Sequence, residues 1–170
     1  MNTVLARWNA LPPKEAAEEI LTCCRSKAWA DKMAAHRPII NATALLDACD
    51  LACKSLTESD WFEAFRSHPR IGETSADPSA SARSAAWSRE EQRTVESENE
   101  NIKMAIAEGN RAYEQRFHRI FIICATGESA LEILENLKRR LQNDDTNELY
   151  EAAEQQRQIA HLRLKKWLAA

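Results

Sequence analysis

His68 stands directly before Pro69 in the run RSHPRIGE, residues 66–73, with Gly72 close behind it. Proline disfavours α geometry at the residue before it, so a helix carrying Trp61, Phe62 and Phe65 has to stop near Ser67. His68 then projects from the negative end of that helix, where a protonated imidazole is favoured. Such a group is suited to general acid chemistry near neutral pH. A histidine that merely sits in a turn fits the same residues, since no partner for it is visible in the sequence.

A second group lies in SREEQ, residues 88–92. Ser88 and Glu91 have the spacing of a capping box, which stabilises a helix start by about 1 kcal/mol with no function implied. Gln92 is different. It falls on the same stripe as Val95, so an amide faces inward at the start of a helix. With Ser88 beside it, that place suits an anionic or amide-rich small ligand. Arg163 is the third candidate. Ala152, Ala153, Ile159, Ala160, Leu164 and Trp167 trace the apolar face of the last helix, and Arg163 follows Ile159 by one helical turn. Either its stem lies along that face and its charge reaches water, or the guanidinium turns inward and meets an anion such as Glu91 or a ligand carboxylate.

The chain has five cysteines, an odd number, with Cys23 and Cys24 adjacent. Reduced, mostly buried thiols are expected. Cys49 and Cys53 are one helical turn apart and could share a metal, but no partner pair of Cys or His has zinc-like spacing, so no metal site is expected.

The elements that hold these residues read as helices nearly throughout. Three glycines in 170 residues, with few β-branched runs, favour helix. Helices are expected from LPPKEAAEEILTCC, SKAWADKMAAH, NATALLDACDLACKSL with Asn41 as N-cap, and TESDWFEAF with Thr57 and Asp60 paired at its start. Residues 67–82 form the longest break. A long helix is expected to start at Ser88 and run through Val95, Ile102, Ile106, Tyr113 and Phe117, with Gly109 a place for a bend. RIFIIC reads as a buried connector rather than a sheet. Two amphipathic helices, ESALEILENLKRRLQN and DTNELYEAAEQQRQIAHLRLKKWL, complete the chain. The expectation is all-α: one domain over residues 1–170, a bundle of about seven or eight helices.

Composition excludes several classes. A net charge of −3 without a Lys/Arg block gives no case for nucleic acid. No apolar run approaches the ~20 residues of a membrane span, and MNTVLARWNALPPKE lacks the apolar core of a signal peptide. A cytoplasmic protein is expected.

Taken together, HPRIG, SREEQ, YEQRFHRIFIIC and IAHLRL, in that order, with CCRSKAWADKMAAHRPI before them, resemble the OHCU decarboxylases. These convert 2-oxo-4-hydroxy-4-carboxy-5-ureidoimidazoline (OHCU), a urate-oxidation intermediate, into (S)-allantoin. The resemblance covers nearly the whole chain. It implies an all-helical, cofactor-free decarboxylase that forms a homodimer. It also implies that His68 is the catalytic histidine with Pro69 as its neighbour, that Ser88, Glu91 and Gln92 form the Ser-x-x-Glu-Gln motif, and that backbone amides around Ile123, Cys124 and Ala125 cradle the substrate ring. The chain departs from the common pattern in two places. Many members read Phe-Gly-Phe-Pro-Phe where this chain has Phe117-His118-Arg119-Ile120-Phe121, and His-Pro-Asp-Leu where it has His68-Pro69-Arg70-Ile71. The rival reading, a helical binding module without catalysis, predicts that His68 and Gln92 do not converge.

Overall fold

Most helix starts fall where a side chain can accept the unpaired N–H groups of a first turn. The computed structural model describes residues 2–73 and 81–170 and contains, among them, ten α-helices and no strand. They are α1 (Thr3–Ala10), α2 (Pro13–Ile20), α3 (Lys27–Ala35), α4 (Ala42–Lys54), α5 (Glu58–Arg66), α6 (Ala82–Glu91), α7 (Arg93–Glu96), α8 (Glu100–Phe117), α9 (Ala130–Arg140) and α10 (Asp145–Leu168). Asn41 caps α4 through the Ala44 N–H. Thr57 and Asp60 exchange hydrogen bonds before α5, and Ser129 and Glu132 form a full capping box on α9.

The all-α class agrees with the expectation, whereas the helix count of seven or eight was too low. One addition is α1, capped by Asn2 but presenting only Leu5 and Trp8 as buried residues. The others come from residues 82–117. Ser81, not Ser88, is the N-cap of the helix that carries the SREEQ motif, and accepts from the Ser84 N–H. Ser88 and Glu91 therefore lie in the last turn of α6, and the expected capping box does not form. The helix breaks at Gln92 and again before Asn99, which caps α8. Ala82, Ala85 and Ala86 are strong helix formers, so the helix nucleates at the upstream serine. Of the expected 67–82 break, residues 74–80 lie outside the described residues.

The chain divides into two compact units. The first comprises residues 1–64 and 157–170. Its core gathers Leu5, Trp8, Ile20, Trp29, Met33, Leu45, Leu164 and Trp167. Trp8 and Trp167 meet edge to face at 5.6 Å. The second comprises residues 65–156, and its core is built from Ile106, Tyr113, Phe117, Phe121, Ile123, Ile133 and Leu137, among others. Here α8 lies against α9 at Gly109, where a Cβ would come within 2.5 Å of the Leu137 side chain. Gly109 thus permits a close approach of two helices.

Residues after α8 form the expected buried connector, with Phe121, Ile122, Ile123 and Ala125 all buried. His118 ends α8 in the left-handed region, φ 55°, and donates its N–H to the Glu114 carbonyl at 2.9 Å. The pattern this chain resembles has glycine at that position, and a side chain there costs conformational energy. His118→Gly is expected to raise stability by up to about 1 kcal/mol, read as a higher urea midpoint. No helix among the described residues is long and apolar enough to cross a membrane.

Candidate active site

Pro69 ends α5 as expected: the helix stops at Arg66, and the His68 N–H closes the final turn on the Phe65 carbonyl at 3.1 Å. The following loop is held from several sides. The Gly72 N–H donates to Gln92 Oε1 at 2.9 Å, and Asn110 Nδ2 donates to the Ile71 carbonyl at 2.9 Å. Arg70 makes two hydrogen bonds to Glu114, at 2.5 and 3.1 Å. Gly72 sits at φ 86°, which glycine adopts without strain. Residues 68–73 are therefore a fixed part of the second unit.

Gln92 is buried at the junction of α6 and α7, one turn after the buried Ser88, whose carbonyl accepts the Gln92 N–H at 3.2 Å. Ser88, Gln92 and Pro69 line one small cleft of about 10 Å3 with Glu73, Ala85, Arg89 and Glu96. That volume is the size of roughly one water, so the cleft marks where the three residues meet rather than a full substrate envelope. Glu91 ends α6 and is half-buried.

The segment expected to present amides is also in the second unit. Ile123 and Ala125 are buried and Cys124 is half-buried. The Cys124 N–H donates to Gln155 Oε1 at 2.8 Å, so this amide has a side-chain partner within the protein. The preceding carbonyl, that of Ile122, accepts from Arg140 Nη1 at 2.6 Å. Arg140 in turn pairs with Glu148, which also accepts from Tyr113 Oη and from Asn143. Burial, together with the Glu148 hydrogen bond, pushes the Tyr113 phenol above its ordinary pKa. Glu151 joins the same network through Asn143 Nδ2 at 3.1 Å, and its hydrogen bond from Arg139 holds its carboxyl down at about 2.

Sequence reasoning missed Gln156. It is fully buried on α10, and its Oε1 lies 2.8 Å from His68 Nε2. A glutamine in an amphipathic helix carries no signal of its own, and its partner is 88 residues away in the chain.

Arg163 is buried, 3% exposed, and belongs to the first unit. That unit holds a further polar cluster, in which Asp50 accepts from Arg157 at 2.8 Å and pairs with His161 Nε2 at 2.7 Å. Burial works against ionisation of Asp50, yet hydrogen bonds from Arg157 and His161 hold its pKa low. A hydrogen bond with Cys53 brings the Cys49 thiol below its ordinary value despite burial, with help from His161. His161 is correspondingly raised, chiefly by its hydrogen bond with Cys49. None of the five cysteines, all among the described residues, is in a disulfide.

The profile of the OHCU decarboxylase family matches residues 9–165. Over 150 residues the chain is 36% identical to the uric acid degradation bifunctional protein TTL of Arabidopsis thaliana, a match covering 88% of this chain and 46% of that protein. The chain thus spans about half the length of this curated relative. Among solved structures, it is similar to an OHCU decarboxylase crystallised in the presence of (S)-allantoin, with 30% identity, a TM-score of 0.75, and coverage of 90% of this chain and 99% of that one. A crystal structure of (S)-allantoin synthase matches with a TM-score of 0.69 over 96% of this chain and 53% of that one; at 18% identity the likeness is one of fold. With the family profile spanning most of its length, the chain belongs to the OHCU decarboxylase family.

Proposed function

We propose that this protein removes CO2 from OHCU to give (S)-allantoin, as a step of urate degradation, and that His68 supplies the proton. The observation that carries the reading is the grouping, within one unit, of the fixed His68–Pro69 loop with Ser88 and Gln92, joined by the Gly72–Gln92 hydrogen bond. Family membership supplies the substrate.

The chemistry asks little of the protein beyond placement. The bond between the ring carbon and its carboxylate breaks, CO2 leaves, and the electron pair is delocalised into the adjacent imidazolone system. One proton then adds to one face of the ring and fixes the (S) configuration. Because the substrate is its own electron sink, the reading needs no cofactor or metal. The protein orients the ring, leaves the carboxylate poorly solvated and delivers the proton. His68 is the donor, and the negative charge of Glu91 favours its protonated form. Ser88, the Nε2 end of Gln92 and the segment Ile123–Ala125 would bind the ureido and ring polar groups. A homodimer in which residues 1–170 act as one domain belongs to the same reading.

Purified protein mixed with freshly generated OHCU should give the circular dichroism of (S)-allantoin far faster than buffer alone. The same rate with and without protein would remove the assignment.

A further inference from the structure

Gln156 has a feature that packing does not explain. Its side chain is fully buried, its Oε1 meets His68 Nε2 at 2.8 Å, and its own Nε2 has no hydrogen-bond partner among the described residues. A buried amide with an unpaired donor costs stability, and an apolar side chain of similar size would avoid that cost. What the glutamine offers in return is a neutral acceptor aimed at one nitrogen of the imidazole.

The two ring nitrogens of a histidine are not equivalent, and the hydrogen bond made by one sets the state of the other. A carbonyl oxygen at 2.8 Å from Nε2 requires a proton there. The neighbouring residue on α10 acts in parallel, since Gln155 Oε1 accepts the Cys124 N–H. Two consecutive glutamines thus anchor the two segments to which the proposed function assigns proton delivery and ring binding.

We propose that Gln156 is a positioning residue that fixes the tautomer of His68, holding Nε2 as N–H so that Nδ1 is the nitrogen that carries and delivers the proton. Resting on the reading of His68 as acid, this identifies the working atom. In the imidazolium form both nitrogens are protonated. Nδ1–H is given to the carbanion, the ring becomes neutral with Nε2–H still donated to Gln156, and a solvent proton restores Nδ1–H. Glu91 acts on the ring through its charge.

The test combines nitrogen NMR of histidine-labelled protein with kinetics of Gln156→Leu and Gln156→Glu. The His68 signals are assigned by their loss in His68→Asn. At a pH where His68 is neutral, the substrate-free wild type should show a protonated Nε2 and an unprotonated Nδ1. Gln156→Leu should lower kcat at least tenfold, with KM changed less than about twofold, and lose the single tautomer. Gln156→Glu, nearly isosteric, places a carboxylate against the imidazole and should move the alkaline limb of the kcat profile up by about one pH unit or more. A protonated Nδ1 in the neutral wild type, or Gln156 variants with wild-type kcat and pH profile, would overturn the proposal. The Glu variant and the wild-type spectrum decide even where the Leu variant fails to fold. If His68→Asn turns over normally, the reading of His68 falls and this one with it. If His68→Asn is inactive while the Gln156 variants behave as wild type, only the role of Gln156 falls.

Discussion

His68→Asn is expected to cost about 10²- to 10⁴-fold in decarboxylation, the usual worth of a positioned acid, while leaving the fold in place. The residue is half-buried in a loop, not in a packed core. Its neighbours are secured independently of the imidazole, by Gln92 on Gly72, Asn110 on Ile71 and Glu114 on Arg70. Asparagine fills part of the same space and retains polar atoms near Gln156, but no amide gives up a proton near neutral pH. The expected result is a melting temperature close to wild type with OHCU consumption near the spontaneous rate. Turnover within a few-fold of wild type would place the acid elsewhere.

Arg140→Met should have the largest effect on stability. Arg140 and Glu148 are 1% and 0% exposed, and their hydrogen bonds run at 2.5 and 2.9 Å. Glu148 also holds Tyr113 and Asn143, and Arg140 holds the Ile122 carbonyl. Removing one charge leaves the other buried and uncompensated, which typically costs about 3–5 kcal/mol. That is a large share of the ~5–15 kcal/mol by which domains of this kind are stable. The double variant Arg140→Met/Glu148→Leu removes both charges and should recover part of the loss, since replacing a buried pair by apolar groups is far milder than breaking it. Urea titration of the two variants checks this. A loss below about 1 kcal/mol in the single variant would mean that water or another cation compensates Glu148.

What could be read from the sequence was local. Asn41 and the Thr57–Asp60 pair announce helix starts because a cap and its target lie within three residues of each other. Pro69 announces a stop for the same reason. The Ser88–Glu91 spacing misled, because a capping box and two polar residues inside a helix look alike when another serine, Ser81, stands upstream. The partners that organise the candidate site are distant in the chain. Gln92 reaches Gly72 across 20 residues, Gln155 reaches Cys124 across 31, and Gln156 reaches His68 across 88. No periodicity encodes such pairs. The family motifs single out His68 and Gln92 as expected site residues where residue type alone leaves them open, but a motif names a residue without naming what holds it.

The contact between Gly109 and Leu137 has a consequence for how this sequence can drift. A methyl group at 109 would intrude to 2.5 Å on a leucine that is itself fully buried, so neither side can yield without repacking. The two positions, 28 residues apart, behave as one inherited volume: bulk gained at the first must be surrendered at the second, as in a pairing of alanine with valine. A lineage reaches that pairing only through an intermediate that is either clashing or hollow, and both intermediates are less stable than the ends. A side chain at 109 is thus excluded less by any demand of the backbone there than by the leucine it would face.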